Sequence, residues 1–336
     1  MPKPQRLPLV LAAALLTLGL LAVFAPHIRL RLDAPTAAVS VLGGVVGGTE
    51  GAAVPMPDAL TVVSYNIAHG RGSGSDNFNG EDAETRAHRL DEIAAFLREQ
   101  DADIVVLNEV DFDTTWSHGV NQARHIAEAA GYPHRVEQRN FDVSVPLFRA
   151  AFGNAILSRV PIIEASRIPY PALSRVEAAL AGHKQGVVAT LAFSDGAVRV
   201  AAVHLSHRDE TVRHASAALL LGQVADGPPL IVAGDFNSVL RGMPGWEANE
   251  EAAGGGPGAE GPSAEGQSAL DLMASSALVG HPANRARSTY PSTAPALTLD
   301  WVFVDPRLTV QTLQAPAGSL SDHLPLVAVV GLQGRE

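Results

Sequence analysis

From Thr61 onward the chain alternates short runs of β-branched and apolar residues with amphipathic helical stretches, and this alternation confines it to sheets covered by helices. The patterning predicts strands over 61–66, 103–108, 153–158, 187–193, 197–205, 229–234, 300–304, 308–314 and 324–330, and helices over 85–99, 119–130, 211–224 and 268–278. Asp195-Gly196, between strands 187–193 and 197–205, tolerates the positive φ of a tight primed turn and so predicts a hairpin. A hairpin among helix-linked strands implies mixed sheets rather than one parallel wound sheet. With 46% hydrophobic residues in 336, the chain has ample material for a core.

The first sixty residues read differently. Leu7 to Ala25 is about nineteen residues without a charge, flanked by Lys3 and Arg6 before it and His27, Arg29 and Arg31 behind it. That length crosses a hydrocarbon core of ~30 Å. Pro26 directly after Val23-Phe24-Ala25 weakens a cleavage site, and the run exceeds the ~7–15 apolar residues of a cleaved signal. Residues 1–31 are therefore expected to form a single-pass membrane anchor, with a signal segment as the alternative. The catalytic domain is expected outside the cytoplasm, although positive charge on both flanks leaves the orientation undetermined. Residues 32–60, rich in Gly, Ala and Pro, are expected to be a linker to one domain over 61–332. Within that domain, 243–267 lacks periodicity and is expected to be a flexible insertion.

Several classes are excluded by composition and spacing. No cysteine is present, which removes thiolate nucleophiles and Cys-ligated metals. The glycines of 43–48 are not followed by Lys-Ser or Lys-Thr at P-loop spacing, and Gly70-Arg71-Gly72-Ser73-Gly74 fits neither a dinucleotide fingerprint nor a nucleophile elbow. A formal charge of −11 disfavours nonspecific binding to a polyanion such as duplex DNA.

Chemistry gathers at strand ends. Ile104-Val105-Val106-Leu107 is a fully apolar strand with Glu109 just past its end, where side chains from a buried sheet converge and a carboxylate suits a metal. Ser64-Tyr65-Asn66 closes another strand with a neutral amide oxygen. In Leu230 to Asn237, Gly234 permits a sharp turn, and Asp235 and Asn237 alternate onto one face while Phe236 packs the other way. His204 ends one strand and His323 precedes another, beside Asp322; Asp300, on an adjoining edge, is placed to orient the His323 ring.

In order and placement, Asn66, Glu109, the segment Gly153-Asn154-Ala155-Ile156-Leu157-Ser158, His204, Gly234-Asp235-Phe236-Asn237, Asp300 and Ser321-Asp322-His323 resemble the endonuclease/exonuclease/phosphatase superfamily over about residues 60–332. The resemblance implies an α+β fold, a four-layer α/β/β/α sandwich of two mixed sheets, and a Mg²⁺-dependent phosphoester hydrolase in which Mn²⁺ is an alternative ion. It implies Glu109 as the principal metal ligand with Asn66 and Asp322 nearby. Asp235 and Asn237 would activate and orient water, and His204 and the Asp300–His323 pair would stabilise phosphate or shuttle protons. Asn154 and Tyr170 are the candidates on the substrate side. Where some relatives place a glutamate beside the first histidine, this chain has Gln185, which cannot support an imidazolium as a carboxylate does. The expected substrate is a lipid head group or small organophosphate. Competing readings are an exported nuclease and a binding module that keeps the fold without the activity.

Overall fold

The structure, a computed structural model, describes residues 29–30, 40–42, 54–171, 183–240, 243, 267–281 and 288–332. Among these, the strands are β1 (Arg29–Leu30), β2 (Ser40–Leu42), β3 (Ala59–Asn66), β4 (Ile104–Asp111), β5 (His134–Val145), β6 (Phe148–Ser158), β7 (Ile162–Pro169), β8 (Gln185–Phe193), β9 (Gly196–His204), β10 (Leu230–Asp235), β11 (Val279–His281), β12 (Asp300–Val304), β13 (Leu308–Gln314) and β14 (Leu326–Leu332). The helices are α1 (Ala83–Glu99), α2 (Gln122–Ala130), α3 (Glu210–Val224) and α4 (Ala269–Ala274). One sheet has the order β1-β5-β6-β4-β3-β14-β13, with β2 also on β5; the other has the order β11-β12-β10-β9-β8-β7.

Three apolar layers explain why the strands read as continuous hydrophobic runs. Side chains alternate along a strand. Ile104 and Val106 of β4 therefore enter the core between the sheets with Ile231 and Ala233 of β10. Val105 and Leu107 face outward onto Leu90, Ile93 and Leu97 of α1 and Ile126 of α2. Val232 of β10 faces the other way, onto Ala217 and Leu220 of α3 and Leu270 and Met273 of α4. Central strands are thus buried on both faces, and the result is the expected four-layer α+β sandwich. The helices start where side chains supply the first acceptors: Asp82 takes the Thr85 amide at 2.8 Å, Asn121 that of Arg124 at 2.9 Å and Asp209 that of Val212 at 3.0 Å.

Some elements depart from the sequence reading. The helix expected over 268–278 closes at Ala274, where Ser275 and Ser276 hydroxyls donate back to Leu272 and Met273 carbonyls, and β11 follows. β5 and β7 are strands that the patterning missed. β5 carries Glu137, Gln138 and Asn140 buried inside the protein, so its sequence looks like surface; β7 is an edge strand whose Glu164 and Arg167 break the apolar run. Arg29–Leu30 and Ser40–Leu42 of the N-terminal region pair with β5. Leu7–Ala25 lies outside the described residues, as does most of 243–267; among the described residues no helix is long and apolar enough to cross a membrane.

The parallel pairs fix where the site forms. β3 and β4 run parallel, as do β9 and β10, so Asn66, Asn108, His204 and Asp235 arrive at one end of the sandwich. β12 runs antiparallel to β10 and begins there, placing Asp300 opposite Asp235, while His204 flanks Asp235 on the other side. Gly234 makes this crossing possible: its φ is +146°, and a Cβ would fall 1.9 Å from the Val203 carbonyl oxygen. Gly234→Ala is expected to lower unfolding free energy by about 2–4 kcal/mol in chemical denaturation, through both the clash and the strained φ; an unchanged denaturation midpoint would show that β9 and β10 can separate without cost.

Candidate active site

Glu109 owes its aim to a bulge. Pairing of β4 with β6 shifts register between Leu107 and Val110, and Glu109 has a φ of +52°. A bulge of this kind re-aims successive side chains: Asn108 is fully buried between the sheets, whereas Glu109 keeps 24% of its side chain exposed. Arg71 joins Glu109 to Asp322, with Nη1 3.3 Å from Glu109 Oε2 and Nη2 2.8 Å from Asp322 Oδ2.

Behind Glu109 a chain of buried amides ties the two sheets together. Asn108 Nδ2 donates to Asn154 Oδ1 at 2.8 Å, and Asn108 Oδ1 accepts from the Asp235 amide at 3.1 Å. Asn154 Nδ2 donates to Gln138 Oε1 at 2.8 Å and to the Gln185 carbonyl at 3.0 Å. Asn140 Oδ1 extends the chain by accepting from Gln138 Nε2 at 3.1 Å and from the Gln185 amide at 2.9 Å. Unpaired amides in this interior would be costly, so the network fixes the position of β10 against β4. Asn154, expected beside substrate, is fully buried and positions Asn108 instead.

Asp235 is the hub. Its Oδ2 accepts from Asn66 Nδ2 at 3.0 Å and Asn237 Nδ2 at 3.1 Å, and its Oδ1 from the Asn237 amide at 2.8 Å. Both His204 Nε2 and His323 Nε2 lie 3.7 Å from Oδ2. Burial raises the Asp235 carboxyl above the usual carboxylate range, against the opposing pull of His323.

The two histidines are held in opposite states. Burial would lower the His323 ring, but Asp300, bonded to Nδ1 at 2.8 Å, and Asp235 overcome it and raise the ring from 6.5 to about 10. His204 is lowered well below 6.5 by burial and then by Lys184, whose Nζ lies 2.8 Å from Nε2. An ammonium can only donate, so Nε2 is the acceptor and His204 is neutral with its proton on Nδ1. The neighbour that decides His204 is thus Lys184 rather than Gln185, whose Oε1 is buried without a hydrogen-bond partner.

Not every expected residue joins this cluster. Tyr170 is buried in the outer core beneath α3, its hydroxyl against Gly186 and without a hydrogen bond. Asn66 does join it: its oxygen accepts from the Ala68 amide at 3.0 Å and its Nδ2 orients Asp235. Conversely, His69, Arg71, Asp111 and Lys184 belong to the site although patterning did not single them out. His69 Nδ1 donates to Asp111 Oδ1 at 2.7 Å, its Nε2 lies 3.5 Å from Glu109 Oε2, and Asp111 Oδ2 accepts from Trp116 Nε1 at 2.8 Å. Burial lowers the His69 ring and the Asp111 carboxylate more than offsets it, so the ring is raised overall. The available signal was His69-Gly70-Arg71 just past the Asn66 strand end.

Two groups of oxygens compete as a metal centre. Asp235, Asp300 and His323 lie close enough together to share an ion. In that group, however, His323 Nδ1 is committed to Asp300, which is fully buried, and the arrangement is a hydrogen-bonded relay. Glu109 and Asp322 are the carboxylates open to a hydrated cation, with side chains 24% and 17% exposed. Hard oxygen donors at an accessible rim suit Mg²⁺ or Mn²⁺. Burial would raise Glu109, but His69, Arg71 and Lys184 hold its carboxyl well below the usual range, so it is ionised and ready to ligate.

Comparison with known proteins agrees with this fold. The family model described as Endonuclease/Exonuclease/phosphatase family matches residues 63–323. No curated protein matches the chain. An endonuclease/exonuclease/phosphatase from Beutenbergia cavernae superposes with a TM-score of 0.59 at 23% identity, over 83% of this chain and 72% of that one. One from Bacteroides vulgatus gives 0.55 at 16% identity, over 82% and 99%. ANGEL2, described as a 2',3'-cyclic phosphatase, gives 0.56 at 19% identity, over 81% and 95%.

The raised His323 value has a measurable consequence. A folded-state value above the ordinary 6.5 means that the charged ring stabilises the fold fully below about pH 6.5 and that this contribution is lost as pH rises through about 10. In metal-free protein, an NMR titration should show the His323 ring charged through neutrality, and Asp300→Asn should bring its midpoint down toward 6.5 or below. A midpoint untouched by Asp300→Asn removes the relay.

Proposed function

The chain belongs to the endonuclease/exonuclease/phosphatase family, and from that premise we propose that it is a membrane-held, divalent-metal-dependent phosphoester hydrolase acting on a lipid head group or another small organophosphate. The observation that carries the catalytic reading is Asp235 standing between a charged and a neutral histidine, each 3.7 Å away.

Glu109 and Asp322 would hold the metal, which when bound supplies charge to neutralise phosphate oxygens and the departing oxygen. The remaining chemistry belongs to the side chains. Asp235, with Oδ2 steadied by Asn66 and Asn237, takes a proton from the attacking water as its oxygen bonds to phosphorus. His323 brings a fixed positive charge to the phosphate, against which the equatorial oxygens develop negative charge. As the phosphorus–oxygen bond to the leaving group breaks, the departing alkoxide takes a proton from solvent and Asp235 returns the one it took, while Asp300 keeps His323 charged throughout. His204 stays neutral beside Lys184, whose ammonium adds a second positive charge.

The lipid preference rests on the surface beside Glu109. Leu147 is fully exposed at the β5–β6 hairpin tip, and the rings of Phe148, Trp116 and Phe78 continue from it, with centroids 6.2 Å and 5.5 Å apart. Trp116 joins this strip to the Asp111–His69–Glu109 side of the cleft. Arg29, a few residues after the Leu7–Ala25 apolar run, pairs with Ser144, so an anchor formed by that run would hold the hairpin tip near the bilayer. Aromatic rings and a protruding aliphatic side chain suit a lipid interface.

The full chain in detergent or vesicles, assayed with phospholipids, a chromogenic diester, RNA and DNA in the presence of Mg²⁺ or Mn²⁺, tests the activity. Hydrolysis should fall to background with chelator and by about 10²–10⁴-fold in Asp235→Asn. Activity confined to nucleic acid overturns the lipid preference, and indifference to both treatments leaves a binding module. The absence of cysteine allows a separate check of orientation. A fluorophore on Leu147→Cys should be quenched by lipid-borne quenchers in vesicles, while one on Val279→Cys, exposed at the edge of the other sheet, should not. Equal quenching at the two positions discards the membrane-facing strip.

A further inference from the structure

Arg71 lies between two carboxylates, yet its position does not depend on them. Nη2 donates to Asp322 Oδ2 at 2.8 Å and Nη1 to Glu109 Oε2 at 3.3 Å. On its other side Nε donates to the Gly74 carbonyl at 2.6 Å, and Nη1 also reaches Asn77 Oδ1 at 3.2 Å. The loop that carries it is fixed at both flanks: Gly72 bridges to Ser321, and Arg89 Nη1 donates to the Gly70 carbonyl at 2.6 Å. The guanidinium is therefore held at the rim, with 12% of the side chain exposed, by bonds that survive if Glu109 and Asp322 are taken away.

Charge decides the outcome when a metal engages those carboxylates. In the free protein one cation satisfies two anions. A divalent ion on the same carboxylates would replace that attraction with repulsion between the guanidinium and the ion. An anion between the two relieves it. Guanidinium N–H groups released from carboxylates match tetrahedral phosphate oxygens in the same forked geometry.

We propose that Arg71 is the phosphate-recognition residue of this site. It occupies Glu109 and Asp322 in the free protein and offers the freed N–H groups to the substrate phosphate when a divalent cation takes those carboxylates, so that cation and phosphate each favour binding of the other. The inference rests on the metal-dependent reading of the site and adds to it a residue that competes with one ligand and contacts the other.

The test uses the full chain, wild type, Arg71→Met and Arg71→Lys, in calorimetric titrations with Mn²⁺ alone, inorganic phosphate alone, and each in the presence of the other. Removing the competing guanidinium should tighten Mn²⁺ binding severalfold in Arg71→Met, while phosphate binding in the presence of Mn²⁺ weakens by about tenfold. Arg71→Lys should keep part of the phosphate affinity, because it keeps charge but not the fork. In wild type the factor by which Mn²⁺ tightens phosphate must equal the factor by which phosphate tightens Mn²⁺, and this factor should shrink in Arg71→Met. A role in structure alone would shift thermal midpoints without moving the two affinities in opposite directions. Unchanged or weaker Mn²⁺ binding in Arg71→Met, or undiminished phosphate binding, overturns the proposal. Failure of wild type to bind Mn²⁺ at all overturns the metal-dependent reading and this proposal with it, which the first titration alone reveals.

Discussion

The buried amides between the two sheets are the constraint on which the site depends. Glu109 belongs to one sheet and Asp235 to the other, and no strand hydrogen bond links β4 to β10. Dispersion between Val106, Ile231 and their neighbours holds the sheets together without specifying their offset, because apolar contact is non-directional. Hydrogen bonds are directional. Asn154 to Asn108 to the Asp235 amide is a linkage that tolerates one offset, and a slip of one residue would leave several buried amides unpaired at once. The bulge at Glu109 serves the same end, since it turns Asn108 inward to join the linkage while sending the neighbouring carboxylate to the cleft.

Given that offset, the electrostatics depend on which partner meets each ring. His204 and His323 stand symmetrically about Asp235 and are about equally buried, so burial alone would lower both. Asp300 reverses the effect for His323, and Lys184 reinforces it for His204. Both partners come from local strand geometry: Asp300 opens β12 directly opposite Asp235, and Lys184 immediately precedes β8, next to the β9 strand that ends in His204. One imidazolium and one neutral imidazole around a shared carboxylate give the site a donor and an acceptor without needing two different residue types.

Central strands were legible because burial on both faces leaves an unbroken apolar run, as in Ile104 to Leu107 and Leu230 to Ala233. Strand β5 was not, because its function is to place Glu137, Gln138 and Asn140 in the interior, which inverts the usual relation between polarity and exposure. Most of the site residues were legible from their strand-end positions. Asn154 and Tyr170 were read as facing substrate, and each packs inside the protein instead. Arg71 and His69 are not legible in this way because they sit in and just after a one-turn 3-10 helix, Ala68–Gly70, in a Gly-rich stretch with no periodicity, where a cation usually means solvent.

What the sequence determined by itself was mixed sheets covered by helices and the end of the sheets at which chemistry would collect, since alternation and turn residues are local properties of the chain; the four layers followed from the family resemblance. Family membership was legible for the same reason: its motifs are short segments, each tied to one strand end. Only tertiary structure decided which histidine carries charge, that a lysine rather than a glutamine attends His204, and that an arginine spans the two rim carboxylates. Those outcomes depend on distances of about three ångströms between residues as far apart in the chain as Arg71 and Asp322, and no local pattern encodes the sheet offset that brings them together.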